Sequence, residues 1–462
     1  MEADRGEVRR VVDALRDELG ADRVLDGSPA GDEVQRRSLN PLSEVPPRCL
    51  LRPRNTEECR VIVKALAAVD CYPHPIAALT TFWEPHSQRA AVGLDTLEMR
   101  APRRIDPRER VGYFGAGVSV READRAAREH GLCLVAYPDS DGSASVGSMA
   151  AVACTTGLGL GRMQPLDQIT GLTVVTRDAA VLRTGAAWRL GHAGVAHGIP
   201  DPMGIFLGAQ GGFGVITEVL LTLEPAPFLA ARSWNSAWTT PGEIAEQLRR
   251  ARQVMDAGAV DSLRLETICA GRAQPTATEW FARCWAAESA AEADARCAAV
   301  ARGLEARDPR CWAESEAARR GELPGHDERY SVPPGEHQAR TGRAGFLGIE
   351  VNVNWGDQLD AALRLFADLF TSLGALGLGH RRLGIYPSSH AVSIGIQAML
   401  SGGDAPADAV RDALAAIVTP LNAIGAVPYR SGRIWKETMD RREVDDPACA
   451  MVRRAGLCEG LA

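Results

Sequence analysis

Three separated segments rich in glycine and small residues constrain this chain more than any other feature. They span 138–147, 171–185 and 205–218, and strand-like apolar runs lie between them. A buried diphosphate needs many short hydrogen bonds, and main-chain N–H groups supply these where side chains do not block the approach. Together the three segments predict a backbone cradle for a diphosphate. The alternative is three unrelated turns in a chain that has 46 glycines.

The length and charge of the chain favour a two-domain protein that acts on small molecules. A chain of 462 residues is too long for one compact core. The formal net charge of −7 disfavours nucleic acid and acidic membrane surfaces as partners, since both attract basic proteins. The N-terminus has no apolar signal core, and residues 142–161 are too rich in Ser, Thr and Gly for a membrane span.

The cysteines favour a cytoplasmic protein without a disulfide framework. There are 11 of them, and no Cys-x-x-Cys pair occurs. An odd number of scattered cysteines fits free thiols in a reducing compartment. The same spacing shows no zinc pattern, so we expect no metal site.

Hydrophobic periodicity predicts strands and helices in both halves of the chain. Strands are expected around 74–78 and over 346–354 and 386–392, and the polar stretch 316–338 is expected to be a long surface loop or lid. Thr56 is the expected N-cap of a helix from Glu57 to Val69, and an Ala/Glu/Arg-rich helix is expected over 276–307. A strand over 214–223 stops at Glu224-Pro225-Ala226-Pro227, which we take as a domain boundary. The expected units are therefore 1–227, 228–424 and a C-terminal segment, 425–462, that returns to the first unit.

Four motifs give the chain a family resemblance. They are Arg52-Pro53-x-x-Thr56-Glu57, Pro138-Asp139 with Gly147, Gly171-Leu172-x-Val174-Val175 with Thr184-Gly185, and Gly211-x-x-Gly214-Val215-Ile216-Thr217. Over about 53–227 the chain resembles flavoproteins with a para-cresol-methylhydroxylase-type FAD domain, also called the vanillyl-alcohol-oxidase family. The resemblance implies an α+β, two-domain, non-Rossmann FAD-binding fold with an α/β substrate cap and a hydride acceptor at flavin N5.

The resemblance also implies which residues hold FAD. Where the family usually has a glycine-rich diphosphate loop, this chain has residues 77–83, with Leu79 in a usual glycine position. The run Gly157-Leu158-Gly159 follows the first cradle segment, as a glycine-containing run does in the family. The predicted FAD-binding residues are Ala78, Thr80, Thr81, Phe82, Trp83, Pro138, Asp139, Ser140, Ser143, Val146, Gly147, Gly157, Gly211, Gly214, Val215 and Ile216.

A Tyr429-Arg430 pair near the end of the chain resembles the phenol-oxidising branch of this family, where it helps to hold a phenolate. A guanidinium and a phenol O–H stabilise an oxyanion together. Arg430 paired with a surface carboxylate and Tyr429 in the core is the alternative. Further catalytic candidates are Tyr386, His380 and His390, which lies near a strand position where the branch links a histidine to the flavin.

Other positions depart from the branch. Its flavin-side Asp aligns nearest to Gln164, and the loop histidine used for a second type of covalent link is absent. We therefore expect FAD to be bound non-covalently.

The expected function is an FAD-dependent oxidoreductase, either an oxidase or a dehydrogenase. It takes a hydride from a small substrate, phenolic or hydroxylated, to flavin N5 while a nearby group receives the proton. One alternative is a tailoring oxidase of specialised metabolism that acts on a non-phenolic intermediate. Another is a flavin-free descendant that serves as a binding or scaffold protein. A homodimer is left open.

Overall fold

The computed structural model describes most of the chain, with gaps. The residues described are 5–38, 47–80, 92–134, 136, 138, 140, 142–154, 165–185, 201–226, 228–236, 240–258, 260–270, 278–286, 288–306, 310–312, 343–378, 380–388, 390–401 and 406–429. Their helices are α1 Arg5–Leu19, α2 Ser28–Arg37, α3 Thr56–Ala67, α4 Val120–Arg128, α5 Val146–Ala151, α6 Met203–Phe206, α7 Pro241–Asp256, α8 Ala290–Gly303, α9 Asp357–Ala375, α10 Ala407–Ala416 and α11 Val418–Ala423.

The strands fall into one group before Pro227 and one after it. The first group is β1 Val24–Asp26, β2 Cys49–Leu51, β3 His74–Ile76, β4 Val92–Asp95, β5 Arg103–Asp106, β6 Val111–Gly115, β7 Leu132–Cys133, β8 Ile169–Thr176, β9 Val181–Arg183, β10 Gly214–Thr222 and β11 Glu224–Pro225. The second group is β12 Phe228–Ser236, β13 Ser262–Ala270, β14 Thr278–Ala286, β15 Arg310–Trp312, β16 Arg343–Asn354, β17 His380–Pro387, β18 Ala391–Ser401 and β19 Val427–Pro428.

The first group of strands forms a small mixed sheet, a larger antiparallel sheet and a short two-stranded ribbon. The mixed sheet has the order β1-β2-β4-β3, with β4 parallel to both β2 and β3. The antiparallel sheet has the order β5-β6-β10-β8-β9. Helix α3 buries Ile62, Val63 and Leu66 in the core beside the mixed sheet. We call residues up to Pro227 the N-terminal domain.

The start of α3 differs from the sequence prediction. The side chain of Asn55, not Thr56, caps the helix by accepting a hydrogen bond from the main-chain N–H of Glu58. The Thr56 hydroxyl lies 2.9 Å from the Thr217 hydroxyl on β10. Thr56 therefore connects the helix to the larger sheet, and the cap falls one residue earlier.

The second group of strands forms one antiparallel sheet with the order β15-β12-β14-β13-β17-β18-β16-β19. One face of this sheet carries apolar residues at alternate positions, such as Ile385, Ile394 and Ile349, which belong to the largest hydrophobic core of the molecule. Helix α9 packs on β16 and β18 and buries Phe366 and Phe370 in that core. We call this part, which spans 228–428, the cap domain.

The predicted helix over 276–307 is wrong in its first part. Residues Thr278–Ala286 form β14, and the helix α8 begins only at Ala290, after the N-cap Ser289. Trp280, Ala282 and Cys284 alternate as buried residues in β14, which pairs with both β12 and β13. Burial in the middle of a sheet outweighs the helix propensity of the surrounding alanines.

The described helices include none that is both long and apolar enough to cross a bilayer. The predicted long loop at 316–338 lies outside the described residues. Of the predicted C-terminal segment, the described part supplies β19, which forms an edge of the cap sheet beside β16. The residues from 430 onward are outside the described part of the chain.

Candidate functional site

The structure brings several of the predicted cradle segments together. The hydroxyl of Thr80, in the loop after β3, lies 3.4 Å from the hydroxyl of Ser140. A Cβ atom on Gly211 would lie 2.7 Å from the ring of Pro75 in β3. The main-chain N–H of Gly208 donates to the carbonyl of Ala150, at the end of α5, at 3.1 Å. The loop at 77–80, the turn at 140–145, α5 and residues 208–211 are therefore neighbours.

Within this cluster, main-chain N–H groups from 143 to 149 already have protein partners. Ser143 N–H donates to Ser140 O at 2.9 Å, Val146 N–H to Val118 O at 2.9 Å and Gly147 N–H to Ala116 O at 3.0 Å. Ser145 and Ser148 cap the start of α5 reciprocally, each side chain accepting from the other's main-chain N–H. These hydrogen bonds shape the turn and the helix start, and the FAD contacts expected from the segment stay a prediction.

Gly147 also lies directly against protein atoms, and its predicted contact with FAD stays a prediction. A Cβ atom on Gly147 would lie 2.6 Å from the Cβ of Ala116 and 2.9 Å from its carbonyl oxygen. The glycine therefore lets α5 approach the turn after β6. Its close neighbour is protein backbone, so a larger side chain would disturb the fold before it disturbed a ligand.

Gly214, Val215 and Ile216 lie inside the larger antiparallel sheet. Gly214 pairs with Thr176, and a Cβ atom there would lie 2.6 Å from Val174 Cγ1. Val215 is fully buried, and Ile216 is 8% exposed. We assign these three to the framework that supports residues 208–211.

The other predicted FAD residues divide into two groups. Ala78, Thr80, Pro138 and Ser140 are within the described residues, and Ala78 is buried while Thr80 and Ser140 are partly exposed. Thr81, Phe82, Trp83, Asp139 and Gly157 lie outside them. The described donors near the cradle are thus the hydroxyls of Thr80 and Ser140 and the main chain of 78–80.

The cradle has no described histidine that could bring a positive charge to it. His74 lies in β3, four residues before Ala78, and burial lowers its pKa to about 4. Its imidazole is therefore neutral at pH 7. We therefore expect hydroxyl and main-chain N–H groups near the cradle, and not His74, to donate hydrogen bonds to the phosphate oxygens.

The second candidate region is the polar face of the cap sheet, opposite the apolar core. Gly384 on β17, Gly395 on β18 and Glu350 on β16 lie side by side in register. Main-chain N–H of Tyr429 donates to Glu350 O at 2.9 Å, one position beyond the Val351–Pro428 pair. Because directly opposite residues share a face, Tyr429 continues the row that contains Glu350.

The neighbouring rows of this face are also polar. Arg382 and Gln397 face each other, as do Tyr386 and Ser393. Arg382 Nη2 donates to the phenol oxygen of Tyr386 at 3.2 Å, and the Ser393 hydroxyl donates to the carboxylate of Glu350. The name polar cap face is used below for Glu350, Arg382, Tyr386, Ser393, Gln397 and Tyr429.

Two glycines give the side chains of the polar cap face their room. A Cβ atom on Gly384 would lie 2.7 Å from the Tyr386 hydroxyl oxygen, and one on Gly395 would lie 3.0 Å from Glu350 Cγ. The phenol of Tyr386 and the side chain of Glu350 therefore lie flat over bare backbone. Arg382 and Ser393 are buried, whereas Glu350, Tyr386 and Tyr429 are half-buried.

The predicted catalytic residues are placed as follows. Tyr429 and Tyr386 share the polar cap face, and His380 is the first residue of β17. His390 is exposed in the turn between β17 and β18, where the strand expected over 386–392 is interrupted. The Ser388 hydroxyl closes that turn by accepting from Ala391 N–H. Arg430 lies outside the described residues.

Sequence reasoning missed Glu350, Ser393 and Arg382. The alternation of apolar and polar residues over 346–354 predicted a strand, and its polar set contains Glu350. Treating those polar positions as one face of a sheet was the signal that could have found Glu350. Ser393 and Arg382 become visible only when the pairing register of β17 and β18 is known.

Comparison with solved structures shows the fold. p-Cresol methylhydroxylase with substrate bound superimposes with a TM-score of 0.75 at 16% identity, covering 98% of this chain and 94% of that one. 4-Ethylphenol oxidase from Gulosibacter chungangensis gives a TM-score of 0.78 at 14% identity, with the same coverage. Residues 47–185 match a family model described as an FAD binding domain. The chain therefore carries an FAD-binding domain, in a fold like that of p-cresol methylhydroxylase.

Two further proteins are similar to this chain. An alkyldihydroxyacetonephosphate synthase structure gives a TM-score of 0.65 at 14% identity and covers 97% of this chain and 84% of that one. A mitochondrial D-lactate dehydrogenase [cytochrome] of Arabidopsis thaliana is 26% identical over 183 residues, which are 39% of this chain. The match covers 31% of that relative, so the chain spans about a third of its length.

The described residues fit FAD in the cradle. Hydroxyls from two separate segments, Thr80 and Ser140, meet there, and Leu79 has the left-handed backbone, φ 55°, that a turn around a phosphate uses. The cradle thus offers two hydroxyl groups and a left-handed turn that suit a diphosphate.

Proposed function

We propose that the protein is an FAD-dependent oxidoreductase that oxidises a small phenolic or hydroxylated substrate. The observation that carries the proposal is the polar cap face. It places two tyrosines, a carboxylate and a guanidinium on one sheet surface of a chain that also has an FAD-binding domain. Bound FAD supplies the hydride acceptor.

The tyrosines bind the substrate oxygen in this proposal. The phenol oxygen of Tyr386 accepts a hydrogen bond from Arg382, so its own O–H proton is directed to another acceptor. Tyr429 offers a second O–H from the neighbouring row. Two hydroxyl donors on one face stabilise a substrate alkoxide or phenolate as it develops.

Glu350 is the proton acceptor in this proposal. Its carboxylate is held by the Ser393 hydroxyl and lies over the bare backbone at Gly395. It lies in the same row as Tyr429, so a substrate oxygen held by that tyrosine has a carboxylate beside it. A fixed carboxylate within reach of a reacting O–H group acts as a general base.

The experiment measures the flavin absorbance of the purified protein and the loss of that absorbance when substrate is added under anaerobic conditions. We expect bound, oxidised flavin that para-hydroxybenzyl substrates reduce. Tyr429→Phe should keep the flavin and reduce it at least about tenfold more slowly, since one oxyanion donor is lost. A colourless protein that takes up no added FAD would contradict the proposal and favour a binding or scaffold role.

The Gly395→Val variant tests the polar cap face separately from the cradle. A Cβ atom there would push on Glu350, so we expect flavin reduction to slow while FAD content stays unchanged. Its matched control is Gly303→Ala at the end of α8, where the new Cβ would meet Val254 Cγ2 at 3.2 Å. Equal reduction rates in wild type and Gly395→Val would remove the polar cap face from the mechanism.

A non-phenolic substrate is the second candidate, as for a tailoring oxidase of specialised metabolism. Arg382 favours it, because a buried guanidinium on the substrate face also suits a carboxylate-bearing substrate. Bleaching by hydroxy acids but not by para-hydroxybenzyl substrates would select this candidate.

The mode of FAD attachment and the cellular setting are part of the same proposal. FAD is bound non-covalently, the substrate is a small molecule, and the protein acts in the cytoplasm with neither nucleic acid nor membrane as partner. Acid precipitation should therefore release the colour. A yellow pellet that turns colourless in His390→Ala would identify a covalent link instead. Sedimentation would decide between a monomer and a homodimer.

A further inference from the structure

The loop that follows β3 contains a backbone conformation that leucine rarely adopts. Leu79 has φ 55°, in the left-handed region where glycine is the usual residue. The resemblance described above also expects glycine at this position. A leucine there carries conformational strain that glycine would avoid. Such strain persists where contacts of the residue with the surrounding structure hold it in place.

The Leu79 side chain packs into a small hydrophobic cluster under α2. The cluster consists of Ala30 and Val34 on α2, Leu50 on β2 and Ile76 on β3, and Leu79 is half-buried against it. Glycine at 79 would leave the loop without this contact. The leucine therefore fixes the loop to the body of the N-terminal domain.

The residues on either side of Leu79 are also fixed. Arg37 Nη1, at the end of α2, lies 3.5 Å from the Ala77 carbonyl, and Arg37 Nη2 donates to Asp95 at 2.8 Å. On the other side, the Thr80 hydroxyl reaches Ser140 at 3.4 Å. The loop is thus held from α2 at one end and from the second cradle segment at the other.

The main-chain donors of this loop differ from those of 143–149. Among the described residues, the hydrogen bonds of the structure use none of the N–H groups of Ala78, Leu79 and Thr80. A left-handed residue turns successive N–H groups toward one side, which makes an anion-binding concavity. The loop therefore offers a fixed set of donors.

We propose that Leu79 is a positioning residue for the diphosphate of FAD. Its side chain anchors the loop in the hydrophobic cluster and so keeps the main-chain donors of 78–80 oriented for an anion. Anchoring a loop in its bound form raises affinity because less ordering is needed on binding. The inference rests on FAD binding and is independent of the substrate.

The test compares FAD and ADP affinities of apoprotein variants, by flavin fluorescence and calorimetry. We expect Leu79→Gly to weaken both ligands at least about tenfold, although it removes the backbone strain. Leu79→Met keeps an apolar side chain and should stay within about threefold of wild type. Leu79→Asn, which tolerates the left-handed backbone, should behave like Leu79→Gly.

The matched control is Asp70→Gly, at an exposed position with φ 51° after α3. It removes a similar strain away from the cradle and should leave both affinities unchanged. Thermal unfolding of each apoprotein separates loss of binding from loss of fold. FAD binding to Leu79→Gly or to Leu79→Asn at wild-type strength would overturn the inference. If the wild-type protein binds FAD but oxidises no substrate, the proposed function is contradicted and this inference is unaffected.

Discussion

The cradle and the polar cap face are built in opposite ways. The cradle comes from short segments, so a few residues around 78–80, 138–147 and 208–211 carry most of it. The polar cap face takes single residues from β16, β17, β18 and the end of the chain, and strand pairing alone brings them together. A cradle built from short segments can therefore be recognised as a motif, whereas the polar face of a sheet depends on strand register.

Glycine also has a different role in each region. In the N-terminal domain, Cβ atoms on Gly117 and Gly185 would lie 2.4 Å and 1.9 Å from main-chain oxygens, and Gly147 faces Ala116. On the polar cap face, Gly384 and Gly395 face the side chains of Tyr386 and Glu350 instead. Glycine fixes the fold in the first region and makes room for functional side chains in the second.

The two regions are also stabilised differently. A buried network of Glu33, Arg37, Arg52 and Asp95 joins α2 to the small mixed sheet. The cap domain relies on the apolar core under its sheet, and its ion pairs between α7 and α9 are exposed. Mutations that remove one charge from each domain should therefore have unequal effects.

The largest effect is expected for Asp95→Asn. Asp95 is 1% exposed and accepts from Arg37 at 2.8 Å and from Arg52 at 3.3 Å. Loss of its charge leaves two guanidinium groups short of an anion, which typically costs about 3–5 kcal/mol. Urea unfolding, followed by far-UV circular dichroism, measures this loss as the difference in the free energy of unfolding between wild type and Asp95→Asn. A loss below 1 kcal/mol would show that the network does not stabilise this domain.

The Gly147→Val variant is next. The new side chain would overlap Ala116, so we expect about 1–3 kcal/mol of destabilisation with or without FAD. Gly204→Ala in α6, where a Cβ atom has open space, is the control and should be nearly neutral. If the Gly147→Val apoprotein has normal stability but does not bind FAD, Gly147 lies at the diphosphate site, as the sequence predicted.

Local sequence signals predicted some of these features and not others. The FAD-binding domain, the α+β fold and the positions of β3, β10 and α3 were predicted because glycine-rich turns and apolar periodicity are local signals. The partners of Gly147 were not, since nothing local says whether the neighbour of a glycine is a ligand or backbone. The strand β14 was missed because its burial depends on pairing with β12 and β13, and the residues of β14 alone do not show that pairing.

A smaller effect is expected from pH. Burial lowers the pKa of His74 to about 4, below its ordinary value of about 6.5. Between these values the unfolded state binds more protons, so stability falls as pH falls, by at most about 1.4 kcal/mol per pH unit. His74→Gln should flatten this part of the curve in urea titrations at pH 7, 6 and 5. An equally steep curve in His74→Gln would assign the pH dependence to other groups.

The smallest effect is expected for Asp360→Asn in the cap domain. Arg249 Nη2 on α7 donates to both carboxylate oxygens of Asp360 on α9, at 3.0 and 2.8 Å. The two side chains are 45% and 29% exposed, so water and salt screen the pair, and we expect a loss below about 1 kcal/mol. The loss should shrink further in 0.5 M NaCl, because the Debye length falls from about 30 Å at 0.01 M salt to about 4 Å. A loss equal to that of Asp95→Asn would contradict the contrast between the domains. The stability of the cap domain would then depend on its ion pairs as much as that of the N-terminal domain does. A small, salt-sensitive loss would leave the apolar core as the main support of the cap sheet.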